Sequence, residues 1–303
     1  MTDAKALPQA VMIFGCGYIG TALAEHLLRA GVRVGALTRN PEKAARLRTI
    51  GVSEVVEGEL DDSAWHQQLH CDYAAVVNCV SSAGGGLAGY QKSYVDGQQA
   101  ILDWAHGRGI RTYIYTSSTS VYPQDGGVAV DESADTSGAP ETGQVLLKSE
   151  QLIAAAAAQF ERWYVFRLAG IYGPERHYLL NQVQESQGVI PGRGDYTLNL
   201  IHRDDIVGAL TGALAQSAAE SGVYNLADDG AAHKAQVVAW LADQIGEPAP
   251  RFNPEASSPR LQRRGGRMPD RRIVNAQIKA AFGWSPRYPD FRAGYRALFE
   301  EGV

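Results

Sequence analysis

The 303-residue sequence predicts an α/β fold, a doubly wound parallel sheet followed by a smaller C-terminal region, and three observations carry that expectation. Six short apolar, β-branched runs alternate with helix-length segments through the first half of the chain. That alternation is the mark of βαβ units, whose strands are buried on both faces and so read as nearly continuous apolar runs. The first run leads directly into a glycine-rich turn, GCGYIG. From about Glu175 onward the alternation stops, and stretches rich in Pro, Gly and Arg take over.

Taken in order, the strands are AVMIFG, VRVGALT, SEVVEG, YAAVVNCV, RTYIYTSS and WYVFRLAG. Between the first two, IGTALAEHLLRAG places Leu23, Leu27 and Ala30 on one helical face and ends at Gly31, a C-cap signal. QQAILDWAHGRG repeats the pattern with Ile101, Trp104 and Ala105. Asn40 and Pro41 read as the start of the second helix. The run Ala154 to Ala158 is a helix interior that permits close packing. Two long stretches, ESQGVIPGRGDYT and GEPAPRFNPEASSPRLQRRGGRMPDRR, read as loops or as part of a smaller region capping the sheet.

Composition narrows the function. The formal charge of −5, without a long like-charge run, argues against nucleic acid or an anionic membrane and favours a small-molecule substrate. Cys16, Cys71 and Cys79 have neither metal-ligand spacing nor an even count, so buried thiols in a reducing compartment are expected and no metal site. Glycines and Asp3 interrupt or precede the first apolar run, which resembles neither a signal peptide nor a membrane span; a cytoplasmic protein is expected.

The glycine turn predicts a dinucleotide site of Rossmann type. Gly15 allows the tight turn, Gly17 leaves backbone without a Cβ where a pyrophosphate approaches, Gly20 allows close helix packing, and the helix beginning around Tyr18 and Ile19 points its N-terminus at the phosphates. NAD-preferring sites carry an acid at the end of the second strand, about 20 residues on. Here Thr38 stands at that place with Arg39 beside it. A neutral side chain leaves room for a 2′-phosphate and a guanidinium offers it a bidentate partner, so NADP is favoured over NAD. Arg39 also reads as a solvated loop residue, and Lys43 adds charge nearby.

With TSSTSVY (116–122), FRLAGIYGP (166–174), NLIHRDDIVGAL (199–210), GVYNLADD (222–229) and AFGWSPRYPDFRAGY (281–295), these residues make the chain resemble the extended short-chain dehydrogenase/reductase superfamily, closest to its NAD(P)-dependent epimerase/dehydratase-like members. The resemblance covers nearly the whole chain. It implies a nucleotide-binding domain over residues 9–174, with 198–227 returning to extend it, and a smaller substrate-binding region over 175–197 and 228–303. It implies that Glu59 and Leu60 lie beside the adenine, that Asn78 ends the fourth strand near the middle of the cofactor, and that Ser118 hydrogen-bonds a substrate carbonyl or hydroxyl. His202 and Asp205 match a motif read as a structural bridge between the two regions, and Arg271 and Arg272 lie where nucleotide-sugar-using relatives contact a diphosphate. Such relatives often pair through helices of the sheet, so a homodimer is an expectation.

One part of the pattern is missing. Members of the superfamily carry Tyr-x-x-x-Lys with a glutamate four residues beyond the lysine; with Glu150 setting the register, Thr142 falls at the tyrosine and Leu146 at the lysine. If Lys148 is taken as the lysine, Gln144 falls at the tyrosine. Nor can Lys148 act from its own place, because two residues along a helix is about 200° of rotation. In the superfamily scheme the tyrosine exchanges a proton with the substrate oxygen, and a positioned acid or base is worth roughly 10²–10⁴ in rate. Tyr172, His177 and Tyr178, after the sixth strand, are the candidate replacements. Two functions fit: an NADP-dependent oxidoreductase or epimerase/dehydratase-type enzyme on a small carbonyl or sugar-like substrate, using Ser118 with an unorthodox acid, or a non-catalytic NADP-binding sensor or regulator.

Overall fold

The computed structural model describes residues 6–82, 84–215, 218–257, 262 and 268–302. Most of the Arg-rich part of the expected loop 246–272, residues 258–267 apart from Gln262, lies outside the described residues.

Seven parallel strands form the central sheet: β1 (Ala10–Phe14), β2 (Arg33–Thr38), β3 (Glu54–Glu57), β4 (Ala75–Asn78), β5 (Thr112–Ser118), β6 (Arg162–Leu168) and β7 (Gly222–Leu226). Their spatial order is β7-β6-β5-β4-β1-β2-β3. The order reverses between β1 and β4, and in such sheets ligands bind outside the carboxyl ends of the strands at that reversal.

The six apolar runs form strands because alternate residues are buried in opposite directions. Along β1, Val11 and Ile13 enter one core cluster with Leu23, Leu27, Ile206 and Leu210, while Met12 and Phe14 enter the other with Trp65, Ile101 and Trp104. The first cluster is completed by α1 (Tyr18–Arg29) and α6 (Arg203–Ala215). The second involves α3 (Gly97–Ala105) and α4 (Glu141–Ala155). Helix α2 (Pro41–Thr49) starts with Asn40 accepting the Lys43 N–H at 2.9 Å.

A third cluster lies beyond the sheet, where Leu179, Leu180 and Val183 of α5 (Tyr178–Glu185) meet Val237 and Leu241 of α7 (Lys234–Gln244) and Phe291, Tyr295 and Leu298 of a later helix, Phe291–Glu300. The stretch read as a loop from Glu185 contains short strands, because its partners are distant in sequence: Val189–Pro191 pairs with Arg251–Asn253, and Thr197–Leu198 with Ala232–His233. Local periodicity carries no trace of such pairings.

Candidate active site

The three glycines of the turn have different environments. Gly15 has φ 81°, and a Cβ there would run into the backbone of Cys79 and Val80; its carbonyl accepts the Gly17 N–H at 2.7 Å. A Cβ at Gly20 would come within 2.5 Å of the Gly15 carbonyl oxygen. A Cβ at Gly17 would meet nothing within 4 Å. The first and third glycines are thus required by the protein's own packing, while the space over the second is open for a ligand. An N-terminus of α1 without an acid in its first turn faces that space. These residues fit a dinucleotide diphosphate.

At the far end of β2, Thr38 Oγ1 accepts the Asn40 N–H at 3.3 Å, and Arg39 lies 3.6 Å from Glu59 with both side chains about half exposed, 52% and 48%. Lys92 joins this group, 3.3 Å from Asp61 and 3.9 Å from Glu59. Leu60 packs at the start of α3, where a Cβ on Gly97 would touch it at 3.1 Å. Asn78 is 2% exposed; its amide donates to Gln98 at 2.9 Å and its carbonyl oxygen accepts the Val80 N–H at 3.0 Å, so its side chain shapes the chain leaving β4.

The end of β5 shows how the sheet aims a functional side chain. Ser117 turns inward and donates to Glu150 at 2.6 Å; Ser118 faces the cavity and accepts the Ser120 N–H at 3.1 Å. Glu150 in turn holds Arg167 in a buried bidentate pair at 2.6 and 3.1 Å. Arg167 donates to Tyr122 at 2.9 Å, and Tyr122 donates to Asn225 at 2.7 Å. This network ties α4 to the ends of β5, β6 and β7, and so fixes where Ser118 sits.

One cavity of about 610 Å³ connects these parts. It runs from Gly17, Tyr18 and Ile19, past Thr116 and Ser118, to Tyr172 and Tyr295, and on to Arg193 and Lys234. Of the residues selected from sequence, Gly17, Tyr18, Ile19, Ser118, Tyr172, Tyr178 and Arg271 line it together; Thr142 and His177 do not. Thr142 is half-buried in the first turn of α4, Leu146 is 3% exposed within the first core cluster, and Lys148 is exposed. Burial pushes the Tyr172 hydroxyl far above its usual range, and it donates to the Asp290 carbonyl at 3.4 Å. His202 is 1% exposed and burial depresses it to about 4; the adjoining Asp205 carboxylate accepts the Arg287 and Tyr288 backbone N–H groups and is raised by burial to about 6. Both are bound into the junction between sheet and C-terminal region.

Sequence reasoning passed over Tyr94, Arg176 and Lys234, which also line the cavity. Tyr94 has a recoverable signal only in structure: it rides a π-helical turn, Gln91–Asp96, and its hydroxyl accepts the Ser82 N–H at 3.0 Å. Among the described residues no group of three His, Cys, Asp or Glu could hold a metal ion, and no helix is long and apolar enough to cross a membrane.

Comparison with known proteins places these features. The chain is 27% identical over 296 residues to Protein YeeZ of Escherichia coli (strain K12), covering 92% of this chain and 96% of that protein. It is 25% identical over 320 residues to a 3-diazoavenalumate denitrifying reductase of Streptomyces sp, covering 94% and 98%. The solved structure of MoeE5 in complex with UDP-glucuronic acid and NAD shares the fold at a TM-score of 0.77 and 21% identity, covering 95% of this chain and 100% of that one. The sequence model of the NAD dependent epimerase/dehydratase family matches residues 11–227. With that match running from the first strand through the last strand of the sheet, the chain belongs to the NAD dependent epimerase/dehydratase family, within the extended short-chain dehydrogenase/reductase superfamily.

Proposed function

We propose that the protein binds NADP over the GCGYIG turn and acts as an oxidoreductase or epimerase/dehydratase-type enzyme on a small carbonyl or sugar-like substrate. The observation that supports this most is continuity: the cavity that begins at Gly17 and Tyr18 passes Ser118 and extends to basic side chains well beyond the glycine turn, so it has room for a second molecule beside the cofactor. The NAD in the MoeE5 structure agrees with a dinucleotide over this turn, and the reductase activity in the name of the Streptomyces relative agrees with oxidoreductase chemistry.

In this proposal the backbone N–H groups after Gly17 hold the diphosphate, Thr38 leaves room for a 2′-phosphate, and Arg39 binds it. The Arg39–Glu59 pair is half exposed and worth little, so exchanging Glu59 for a phosphate costs little. When bound, the nicotinamide supplies or accepts a hydride at a substrate carbon. Ser118 accepts a hydrogen bond from Ser120, which leaves its own proton to donate to the substrate oxygen. Thr142 and Leu146 stand in the places of the superfamily's tyrosine and lysine, and a threonine hydroxyl is far too weak an acid for that role. Proton exchange is therefore assigned to a cavity-lining tyrosine, Tyr94, Tyr172 or Tyr178.

Calorimetric titration tests the cofactor. NADPH is expected to bind at least tenfold tighter than NADH, about 1.4 kcal/mol, and Arg39→Ala to erase the difference; equal affinities in the unmodified protein refute the NADP assignment. NADPH oxidation with a panel of aldehydes, ketones and sugar-derived carbonyls tests the chemistry. Ser118→Ala should lower any turnover found by about 10²-fold or more. Tight NADPH binding with no turnover across the panel favours the sensor reading instead.

A further inference from the structure

Among the cavity-lining cations, Arg176 sits in a tight turn packed against the start of α1. Residues 173–176 form a closed turn: the Arg176 N–H donates to the Gly173 carbonyl at 3.0 Å and the Gly173 N–H donates to the Arg176 carbonyl at 3.1 Å. Pro174 occupies the second position and Glu175 the third, with φ 61°. A turn with Pro second and positive φ third is type II, and its third position favours Gly. A glutamate held there is strained, and such strain persists only where the surroundings over-determine it.

The surroundings here are the glycine turn itself. The Tyr18 hydroxyl, on the first residue of α1, donates to the Pro174 carbonyl at 2.8 Å. The Arg176 guanidinium then lies 5.3 Å from the centre of the Tyr18 ring, with Arg203 5.5 Å from the same ring. The two arginines differ in one respect. Arg203 is paired with Asp204 at 2.8 Å, whereas Arg176 has no carboxylate within 4 Å among the described residues. This guanidinium, without a close ion pair among the described residues, stands beside the residue that follows Gly17, lining the same cavity, where the space over Gly17 is open.

We propose that Arg176 is a phosphate-binding residue of the dinucleotide site, reaching across Tyr18 from the substrate-side loop to take a diphosphate oxygen of the cofactor. This rests on the glycine turn being the dinucleotide site. Anions and guanidinium groups form charge-assisted, often bidentate hydrogen bonds, which a lysine reproduces only as a point charge. The Tyr18 latch would make that contact part of the closed arrangement of the loop rather than a chance encounter of a flexible side chain.

The test measures binding, not turnover. Unmodified protein, Arg176→Ala, Arg176→Lys and Gly17→Val are titrated with NADPH, NADH, ADP-ribose and UDP, and each is melted without nucleotide. Arg176→Ala is expected to weaken NADPH, NADH and ADP-ribose alike, by about tenfold, and to flatten their salt dependence; Arg176→Lys should recover part of the loss. Unchanged affinities overturn the proposal. So does a loss confined to NADPH, which would mark a 2′-phosphate contact, or a loss confined to UDP, which would mark a substrate-anion site. If the unmodified protein binds none of the dinucleotides, the underlying reading falls with it; if Gly17→Val abolishes binding while Arg176→Ala changes nothing, only the role of Arg176 falls. Melting temperatures of the Arg176 variants within about 2 °C of the unmodified protein confirm that the exposed side chain is not a fold determinant.

Discussion

Adding one methyl group at each glycine of the turn separates ligand binding from folding. At Gly17 the new Cβ meets no atom within 4 Å, so Gly17→Ala is expected to leave the nucleotide-free protein within about 1 kcal/mol of its original stability. The same methyl occupies the open space over the turn, so nucleotide affinity should fall at least tenfold, about 1.4 kcal/mol. At Gly20 the methyl would come within 2.5 Å of the Gly15 carbonyl oxygen, which forces α1 away from the strand and costs about 1–3 kcal/mol. At Gly15 two penalties combine. The backbone sits at φ 81°, which costs an L-residue about 1–2 kcal/mol, and the Cβ would strike backbone rather than a movable side chain, adding roughly another 1–3 kcal/mol. Urea unfolding ranks stability and NADPH fluorescence titration ranks affinity. The expected stability order is Gly17→Ala above Gly20→Ala above Gly15→Ala, with Gly17→Ala folded and impaired in binding. A folded Gly17→Ala that binds NADPH as tightly as the unmodified protein would refute the placement of the diphosphate over this turn.

Removing Glu150 leaves the Arg167 guanidinium buried without its counter-charge, so Glu150→Ala should lose about 3–5 kcal/mol in urea unfolding, while Glu150→Met combined with Arg167→Met should lose clearly less. Asp228 is 5% exposed, and burial followed by the neighbouring acids Asp290, Asp229 and Asp205 raises its carboxyl to about 8. A carboxyl whose folded value lies above its unfolded one favours the folded state at low pH, and this advantage is lost as pH rises from about 4 through 8. Asp228→Asn should therefore reduce the fall in stability between pH 5 and pH 8, by an amount on the order of a few kcal/mol, measured as unfolding midpoints at each pH. His202 acts on the acid side: with its folded value depressed to about 4, the neutral ring opposes protonation, and stability should fall as pH drops from about 6.5 towards 4. Leu146→Lys places an ammonium in the first core cluster and should destabilise the nucleotide-free protein by at least about 2 kcal/mol. If the position retains the geometry of the superfamily's lysine, added NADPH should recover part of that loss in a thermal melt.

The parallel sheet and the glycine turn were legible in the sequence because each rests on local chemistry. Strands such as Ala10–Phe14 and Arg162–Leu168 are buried on both faces, so their composition alone announces them, and the requirement for Gly15 and Gly20 is built into a strand-turn-helix passage a dozen residues long. Thr38 and Arg39 were likewise found by counting from that turn. What the tertiary structure decided is every feature made by residues far apart in the chain. Tyr18 meets Pro174 across 156 positions, and Tyr122 meets Asn225 across 103. The strands Val189–Pro191 and Arg251–Asn253 exist only because they pair with one another. Whether a tyrosine after the sixth strand faces the cavity, as Tyr172 does, or a histidine five residues later does not, as with His177, depends on the packing of the C-terminal helices against that loop. Side-chain direction in a loop follows from its contacts rather than from any period in the sequence, and for that reason the sheet was readable and the far wall of the site was not.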